Sequence, residues 1–396
     1  MKEFELVEIK GKKEKADISF LNFEKAEKIR KYHKSFPDYT QTPLINLKCL
    51  AEKNGIAGLY VKDESYRFGL NAFKVLGGSY AIGNYLAQIL EESEISYEIL
   101  TAEENRKKMG DITFVTATDG NHGRGIAYTA NKLKQNSIVY MPKGSSEERL
   151  KNIQAEGAEA FITDVNYDEA VRLANKQAEE KGYVLVQDTA WEGYEDIPRW
   201  IIQGYMTMAL EVYEQIDKKP THIFLQAGVG SMATAMTGFF SNVYKEEKPI
   251  IIIVEPTEAN CIFKTAKAAD GKTHPVTGDM QTIMAGLACG EPCSIGWQVL
   301  ESYADYAISC PDYIAANGMR ILGNPVEDDI KVVSGESGAV TIGIVETILN
   351  NKKFASWKEK LGLDENSVIL CFSTEGDTDK ENYRRIVWDG KYTSEL

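Results

Sequence analysis

What most constrains this chain is the alternation of short apolar runs with longer helix-periodic ones along nearly its whole length. Runs of about four to eight apolar residues bounded by turn residues suit strands buried on both faces, and the periodic stretches between them suit crossover helices. Strands are predicted over 58–63, 112–117, 137–141, 159–163, 183–187, 221–226, 250–255 and 367–373. Helices are predicted over 75–90, 122–135, 146–156, 167–181, 198–215, 230–244, 311–321, 336–350 and 354–361. The order βαβα implies an α/β protein with parallel sheets. At 396 residues the chain has room for about two domains. The strands between 112 and 187 form one compact group. We therefore expect a smaller inserted α/β domain over 86–187, and a larger domain built from 1–85 and 188–396. Residues 91–110, acidic then basic, read as an exposed excursion. Residues 256–300, rich in glycine and threonine without a clear period, read as a lid.

Four segments carry chemistry. The first is Asn71-Ala72-Phe73-Lys74-Val75-Leu76-Gly77-Gly78, which follows the strand 58–63 and opens a helix. A lysine packed there between Phe73 and Leu76 is partly desolvated. Desolvation disfavours the ammonium and favours a nucleophilic amine, as needed to join an aldehyde cofactor. The second is Thr118-Asp119-Gly120-Asn121-His122-Gly123-Arg124-Gly125, after the strand 112–117 and at a helix start. Unpaired N–H groups at such a start attract anions, and the glycines allow close approach to the main chain. The third is Gln226-Ala227-Gly228-Val229-Gly230-Ser231-Met232, after the strand 221–226. Its glycines and helix start can cradle a phosphate, and it lacks the third glycine of a dinucleotide fingerprint. The fourth, Cys371-Phe372-Ser373-Thr374-Glu375-Gly376-Asp377, ends a buried strand in a hydroxyl pair suited to an unprotonated heteroaromatic nitrogen. The plain alternative for Lys74 is an ordinary surface lysine, and for the other three segments a turn or helix cap. Asp188 lies at the end of the strand 183–187, where ligands of α/β proteins gather, and an Asx turn is its plain alternative.

Taken in this order, the segments resemble the fold-type II pyridoxal-phosphate enzymes, the group of tryptophan synthase β and the serine/threonine dehydratases. The likeness runs from about Thr42 to Trp388. Segments 71–80, 118–125, 188–194 and 334–338 are similar to those of the group's ammonia-lyases that act on 2,3-diaminopropionate. The resemblance implies two parallel-sheet α/β domains of the tryptophan synthase β-like fold, with pyridoxal 5′-phosphate in the cleft between them. It implies that Lys74 is the Schiff-base lysine and that Asn121 meets the cofactor's 3′ oxygen. Gly228, Val229, Gly230, Ser231 and Met232 would form the phosphate loop. Ser373 would be the partner of the pyridine nitrogen, with Thr374 its rival, and Glu336 would lie near the ring. A neutral partner for that nitrogen favours β-elimination over transamination.

Many dehydratases of the group carry serine where this chain has Asp119. A carboxylate there suits a substrate with a second, cationic nitrogen. It could also take an α-proton from the face opposite Lys74, which would admit both L and D isomers. Lys74, Asp119 and Asp188 are the expected catalytic residues. The expected reaction releases pyruvate and two ammonia. The rival within the group is a serine or threonine dehydratase. Outside it stand a nicotinamide dehydrogenase built on Gly228-x-Gly230 and a catalytically silent amino-acid sensor.

Composition excludes other classes. A net charge of −14 and the lack of a basic stripe oppose a nucleic-acid role. The longest apolar runs, such as Ile250–Val254, are too short to span a bilayer, and the first residues lack the apolar core of a signal peptide. A cytoplasmic protein is expected, with its six cysteines as thiols. A redox role for Cys289 and Cys293 is a minor alternative. The four histidines show no zinc-ligand spacing, so no metal is expected, and His122 is read as shaping its loop. Trp191 and Tyr194 read as packing or gating residues. Relatives of this kind are commonly homodimers, and a homodimer is expected.

Overall fold

The structure, a computed structural model, describes residues 4–12, 14–118 and 120–393. Its strands are β1 (Glu5–Glu8), β2 (Leu44–Asn46), β3 (Gly58–Asp63), β4 (Thr113–Ala117), β5 (Asn136–Met141), β6 (Glu159–Ile162), β7 (Val184–Leu185), β8 (His222–Gln226), β9 (Ile250–Pro256), β10 (Tyr306–Cys310) and β11 (Val368–Ser373). They form two sheets. One has the order β1-β10-β9-β8-β11-β3-β2, and the other β6-β5-β4-β7. All pairs in the smaller sheet are parallel. The larger sheet is parallel in its interior and antiparallel at both edges, where β1 joins β10 and β2 joins β3.

The central strands are apolar because helices cover both faces. Every residue of β3, β8 and β11 is buried. The edge strands were not predicted. β1 carries a glutamate at each end and β2 has three residues, so neither shows a buried run. β10, Tyr-Ala-Ile-Ser-Cys, was missed for its mixed composition.

Three expectations need correction. Residues 91–110 are no simple excursion: they hold the helices Tyr97–Thr101 and Glu103–Met109, which bury Leu100 and Met109 against the core. The supposed lid contains the helix Cys261–Ala268 and the start of the helix Ser294–Tyr303, with irregular chain between them broken by one short turn, Ala285–Leu287. The helix predicted over 198–215 is two, Asp196–Gly204 and Met206–Gln215, meeting at the buried Tyr205.

The topology sets the site. In the larger sheet β11 lies between β8 and β3, so the turns that follow all three emerge side by side at their C-terminal ends. In the smaller sheet β4 lies between β5 and β7, so the turns after β4 and β7 are adjacent too. Ligands of α/β folds gather at such ends. The helix that Lys74 precedes packs closely against the helix that follows β4. The helix Asn121–Lys132 passes the helix Val75–Leu90 at Gly125, where a Cβ would lie 2.8 Å from the Cα of Val75. Any larger residue there would push the lysine's helix away.

Candidate active site

Lys74 immediately precedes the helix Val75–Leu90. Its Nζ lies 2.5 Å from Oδ2 of Asp188, which follows β7 in the smaller sheet. The aspartate is almost wholly buried and the lysine keeps some exposure toward a cavity. Burial alone would push the lysine toward neutrality. The Asp188 carboxylate more than reverses this and holds Lys74 above the ordinary lysine range. Burial likewise opposes ionisation of Asp188, and the Lys74 and His122 charges overcome it, drawing the carboxyl down to about 2. Desolvation was expected to favour a free amine at Lys74; the counterion reverses that sign. Asp188 is held further by the Tyr167 hydroxyl at 3.4 Å and by Ser231 Oγ, which donates to its carbonyl at 2.6 Å.

The cavity beside Lys74 is walled by Gly228–Met232, Asn121, Asp188, Tyr205, Thr374 and Glu375. Gly230 adopts φ +97°, a left-handed conformation that turns the chain into the helix Ser231–Tyr244. The N–H groups of that helix's first turn have no intrahelical acceptor. A Cβ at Gly228 would meet Cys289 Sγ at 3.1 Å and Gly286 O at 3.3 Å, so the main chain itself forms the wall.

The two hydroxyls after β11 divide. Ser373 Oγ donates to Ser334 Oγ at 2.8 Å, away from the cavity, whereas Thr374 lines it, with Oγ1 accepting from Gln226 Nε2 at 3.0 Å. The two glutamates divide as well. Glu336 opens the helix Glu336–Asn350, accepts from Asn382 Nδ2 at 2.5 Å and faces an adjoining open cleft of about 930 Å³. Burial and the nearby Glu375 charge push its carboxyl up to about 7. Glu375 lines the Lys74 cavity itself, so of the two it lies nearer a group bound there. Asp119 lies outside the described residues.

His122 Nε2 lies 2.8 Å from the carbonyl of Val186, consistent with a loop-shaping part. Among the described residues, no cluster of three or more His, Cys, Asp or Glu could hold a metal ion, and no helix is long and apolar enough to cross a membrane.

Residues 36–360 match the family described as pyridoxal-phosphate dependent enzyme. The chain belongs to the pyridoxal-phosphate dependent enzymes. Diaminopropionate ammonia-lyase from Salmonella typhimurium is 50% identical over 383 residues, covering 95% of each chain. The Escherichia coli K12 enzyme of that name is 47% identical over 389 residues, covering 95% of this chain and 96% of its own. The crystal structure of holo diaminopropionate ammonia lyase from E. coli superposes with a TM-score of 0.92 at 44% identity, covering 98% of both chains. At 19% identity and a TM-score of 0.72, tomato threonine deaminase shares the fold. The fold is therefore the fold-type II arrangement of these pyridoxal-phosphate dependent enzymes.

The residues present fit pyridoxal phosphate. Among the described residues, three buried polar atoms on the cavity wall have no hydrogen-bond partner: Tyr205 Oη, Gln226 Oε1 and Ser337 Oγ. Burying such atoms unpaired costs free energy, and a polar ligand relieves it. A lysine amine, the main-chain N–H groups at the start of the helix Ser231–Tyr244 and a threonine hydroxyl complete the set. Sequence reasoning missed Tyr205, Gln226, Ser337 and Glu375 as wall residues. Gln226, Ser337 and Glu375 stood inside segments already singled out. Tyr205 gave no signal, because it sits mid-way in a helix-periodic run.

Proposed function

We propose that this chain is an ammonia-lyase that uses pyridoxal 5′-phosphate to eliminate ammonia from 2,3-diaminopropionate, yielding pyruvate and two ammonia. One observation carries the reading: a lysine ion-paired to a buried aspartate beside a main-chain anion cradle, in a chain half identical to diaminopropionate ammonia-lyases. Of the E. coli relative, structures in complex with D-serine and with an aminoacrylate-PLP azomethine reaction intermediate support an elimination that accepts the D configuration.

In this reading Lys74 would hold the cofactor covalently and Asn121 would serve its 3′ oxygen. Thr374, with Ser373 behind it, serves the ring nitrogen, and Gly228 to Met232 serve the phosphate. Bound there, the cofactor supplies a sink for the electron pair left at the α-carbon. The protein's own work is proton handling and orientation. Lys74, once the substrate's amine has displaced it and left it neutral, would take the α-proton of the L isomer, and Asp119 that of the D isomer. Asp119 also attracts the substrate's second ammonium. Asp188 keeps the Lys74 nitrogen at the cavity and balances its charge. The β-nitrogen departs as ammonia, and the released enamine hydrolyses in water. Positioned proton transfer of this kind contributes about a hundred- to ten-thousand-fold. We place the enzyme in the cytoplasm as a homodimer, with 86–187 as the smaller domain and 1–85 with 188–396 as the larger.

Ammonia release from diaminopropionate, serine and threonine tests the substrate. Faster turnover of serine or threonine would make the chain a dehydratase. Asp119→Asn should reduce turnover of the D isomer about a hundredfold and of the L isomer much less. Equal losses on both isomers would remove Asp119 from the D-specific role.

A further inference from the structure

Glu375 links three pieces of the site that lie far apart in the sequence. Its backbone pairs with Ala72 in an antiparallel bridge, two residues before Lys74. On either side, Phe73 N–H donates to Thr374 O at 3.1 Å and Gly376 N–H to Asn71 O at 3.0 Å. Its side chain is buried and bonded at both oxygens. Oε1 accepts the Ser337 N–H at 3.1 Å, from the first turn of the helix Glu336–Asn350. Oε2 accepts Asn121 Nδ2 at 2.5 Å and Thr378 Oγ1 at 3.5 Å. Asn121 starts the helix that follows β4, so this last bond joins the smaller sheet's turn to the larger sheet's.

A carboxylate only accepts hydrogen bonds. Facing Glu375, the Asn121 amide must therefore present its nitrogen. Without such a partner, a terminal amide can turn over and offer oxygen where nitrogen stood. We propose that Glu375 is a positioning residue: it fixes the orientation of the Asn121 amide, so that the second N–H of Nδ2 is held ready for the 3′ oxygen of pyridoxal phosphate. The inference rests on the proposed part of Asn121 in cofactor binding. It assigns Glu375 no contact with substrate.

The test is a double-mutant cycle read on the purified chain by two cofactor measurements, affinity by equilibrium dialysis and the visible absorption band. Glu375→Gln keeps the shape but turns one acceptor into a donor, which then opposes either Asn121 or Ser337. It should weaken pyridoxal phosphate binding about tenfold, the scale of one hydrogen bond to a charged group. It should also move the absorption band in the direction that Asn121→Ala moves it. In the Asn121→Ala background, Glu375→Gln should change affinity and band little, because Glu375 acts through the amide. If Glu375→Gln does not fold, Glu375→Asp replaces it in both backgrounds, since aspartate keeps the charge but lacks the reach to Asn121. Loss of equal size in both backgrounds overturns the inference, as does unchanged binding in the single variant. A wild-type chain that binds no pyridoxal phosphate refutes the cofactor reading, and this inference with it. Binding by wild type that Asn121→Ala leaves unchanged refutes the asparagine's part and this inference with it, while the cofactor reading stands.

Discussion

Two lysines of this chain sit against buried carboxylates with opposite results. Lys62, in β3, is fully enclosed and lies 2.7 Å from Glu211. Lys74, twelve residues further along the chain, lies 2.5 Å from Asp188 and keeps 18% side-chain exposure. Burial draws Lys62 below the ordinary lysine range even with Glu211 and Glu64 nearby, and Arg67 opposes it further. Lys74 is held above that range. The difference lies in how the carboxylate is shared. Glu211 also accepts two hydrogen bonds from Arg67, at 2.9 and 2.8 Å, and one from Tyr39 at 2.6 Å. Asp188 has Lys74 as its only ion-pair partner among the described residues. The Lys62 cluster is saturated: its ammonium also donates to Thr42 O and Gln215 Oε1, and Arg67 to Glu64, Thr40 O and Thr42 Oγ1. The Lys74 cluster faces three polar atoms without partners among the described residues. A saturated network fixes structure, and an unsaturated one leaves bonds for a ligand.

The sharpest way to break this contrast is to remove one cation from each cluster. Lys74→Ala should abolish borohydride trapping of pyridoxal phosphate on the chain and cut ammonia release by roughly a thousandfold or more, the scale of losing a positioned proton-transfer group. Its fold should survive, because the Asp188 carboxylate borders a cavity. Arg67→Ala leaves Glu64 and Glu211 buried with only Lys62 to balance them. It should cost about 3–5 kcal/mol, read as a lower thermal midpoint of the apoprotein. If Lys74→Ala proves the more destabilising, the division into structural and functional clusters fails.

Asp188→Asn is a smaller perturbation with a defined pH signature. The carboxyl is lowered from 3.8 to about 2, so its contribution to stability is present above about pH 4 and is lost as pH falls toward 2. The wild-type apoprotein should exceed Asp188→Asn by about 2–3 kcal/mol near neutrality, and the gap should narrow on acidification. Losing the carboxylate also lowers Lys74, which raises the neutral fraction of its amine. The pH profile for covalent attachment of pyridoxal phosphate, followed by absorbance, should therefore shift toward acid. A profile that stays in place would mean that Asp188 does not set the charge of Lys74.

Much of this was legible in the sequence, and the part that was not has a common cause. Lys74, Asn121 and the turn 226–232 were found because each lies where a strand-like run gives way to a helical one, a local signal. The interior strands were found for the same reason. The pairing of Lys74 with Asp188 spans 114 residues and belongs to the sheet order, which local patterns do not encode. Ser373 and Thr374 are adjacent, so period-two geometry makes one face the cavity and the other turn away, and sequence alone gave no phase. Glu336 was named through the family resemblance and Glu375 only as part of the segment after β11; tertiary placement puts Glu375 on the cavity and Glu336 on the cleft.

The mildest test exchanges a single hydroxyl in each cluster. Tyr39 donates to Glu211 at 2.6 Å, whereas Tyr205 Oη is buried with no partner. Tyr39→Phe removes a hydrogen bond to a charged acceptor and should lower apoprotein stability by about 1–2 kcal/mol, with cofactor affinity unchanged. Tyr205→Phe removes a hydroxyl that already lacks its bond, so apoprotein stability should hold or rise by up to about 1 kcal/mol. The pair becomes informative when the ligand is added. If the orphan hydroxyl awaits pyridoxal phosphate or substrate, Tyr205→Phe should reduce the rise in thermal midpoint that these ligands produce, and Tyr39→Phe should leave that rise intact. Should Tyr205→Phe destabilise the apoprotein as much as Tyr39→Phe does, the hydroxyl already makes a bond in solution, and the cavity loses one of its three unsatisfied atoms.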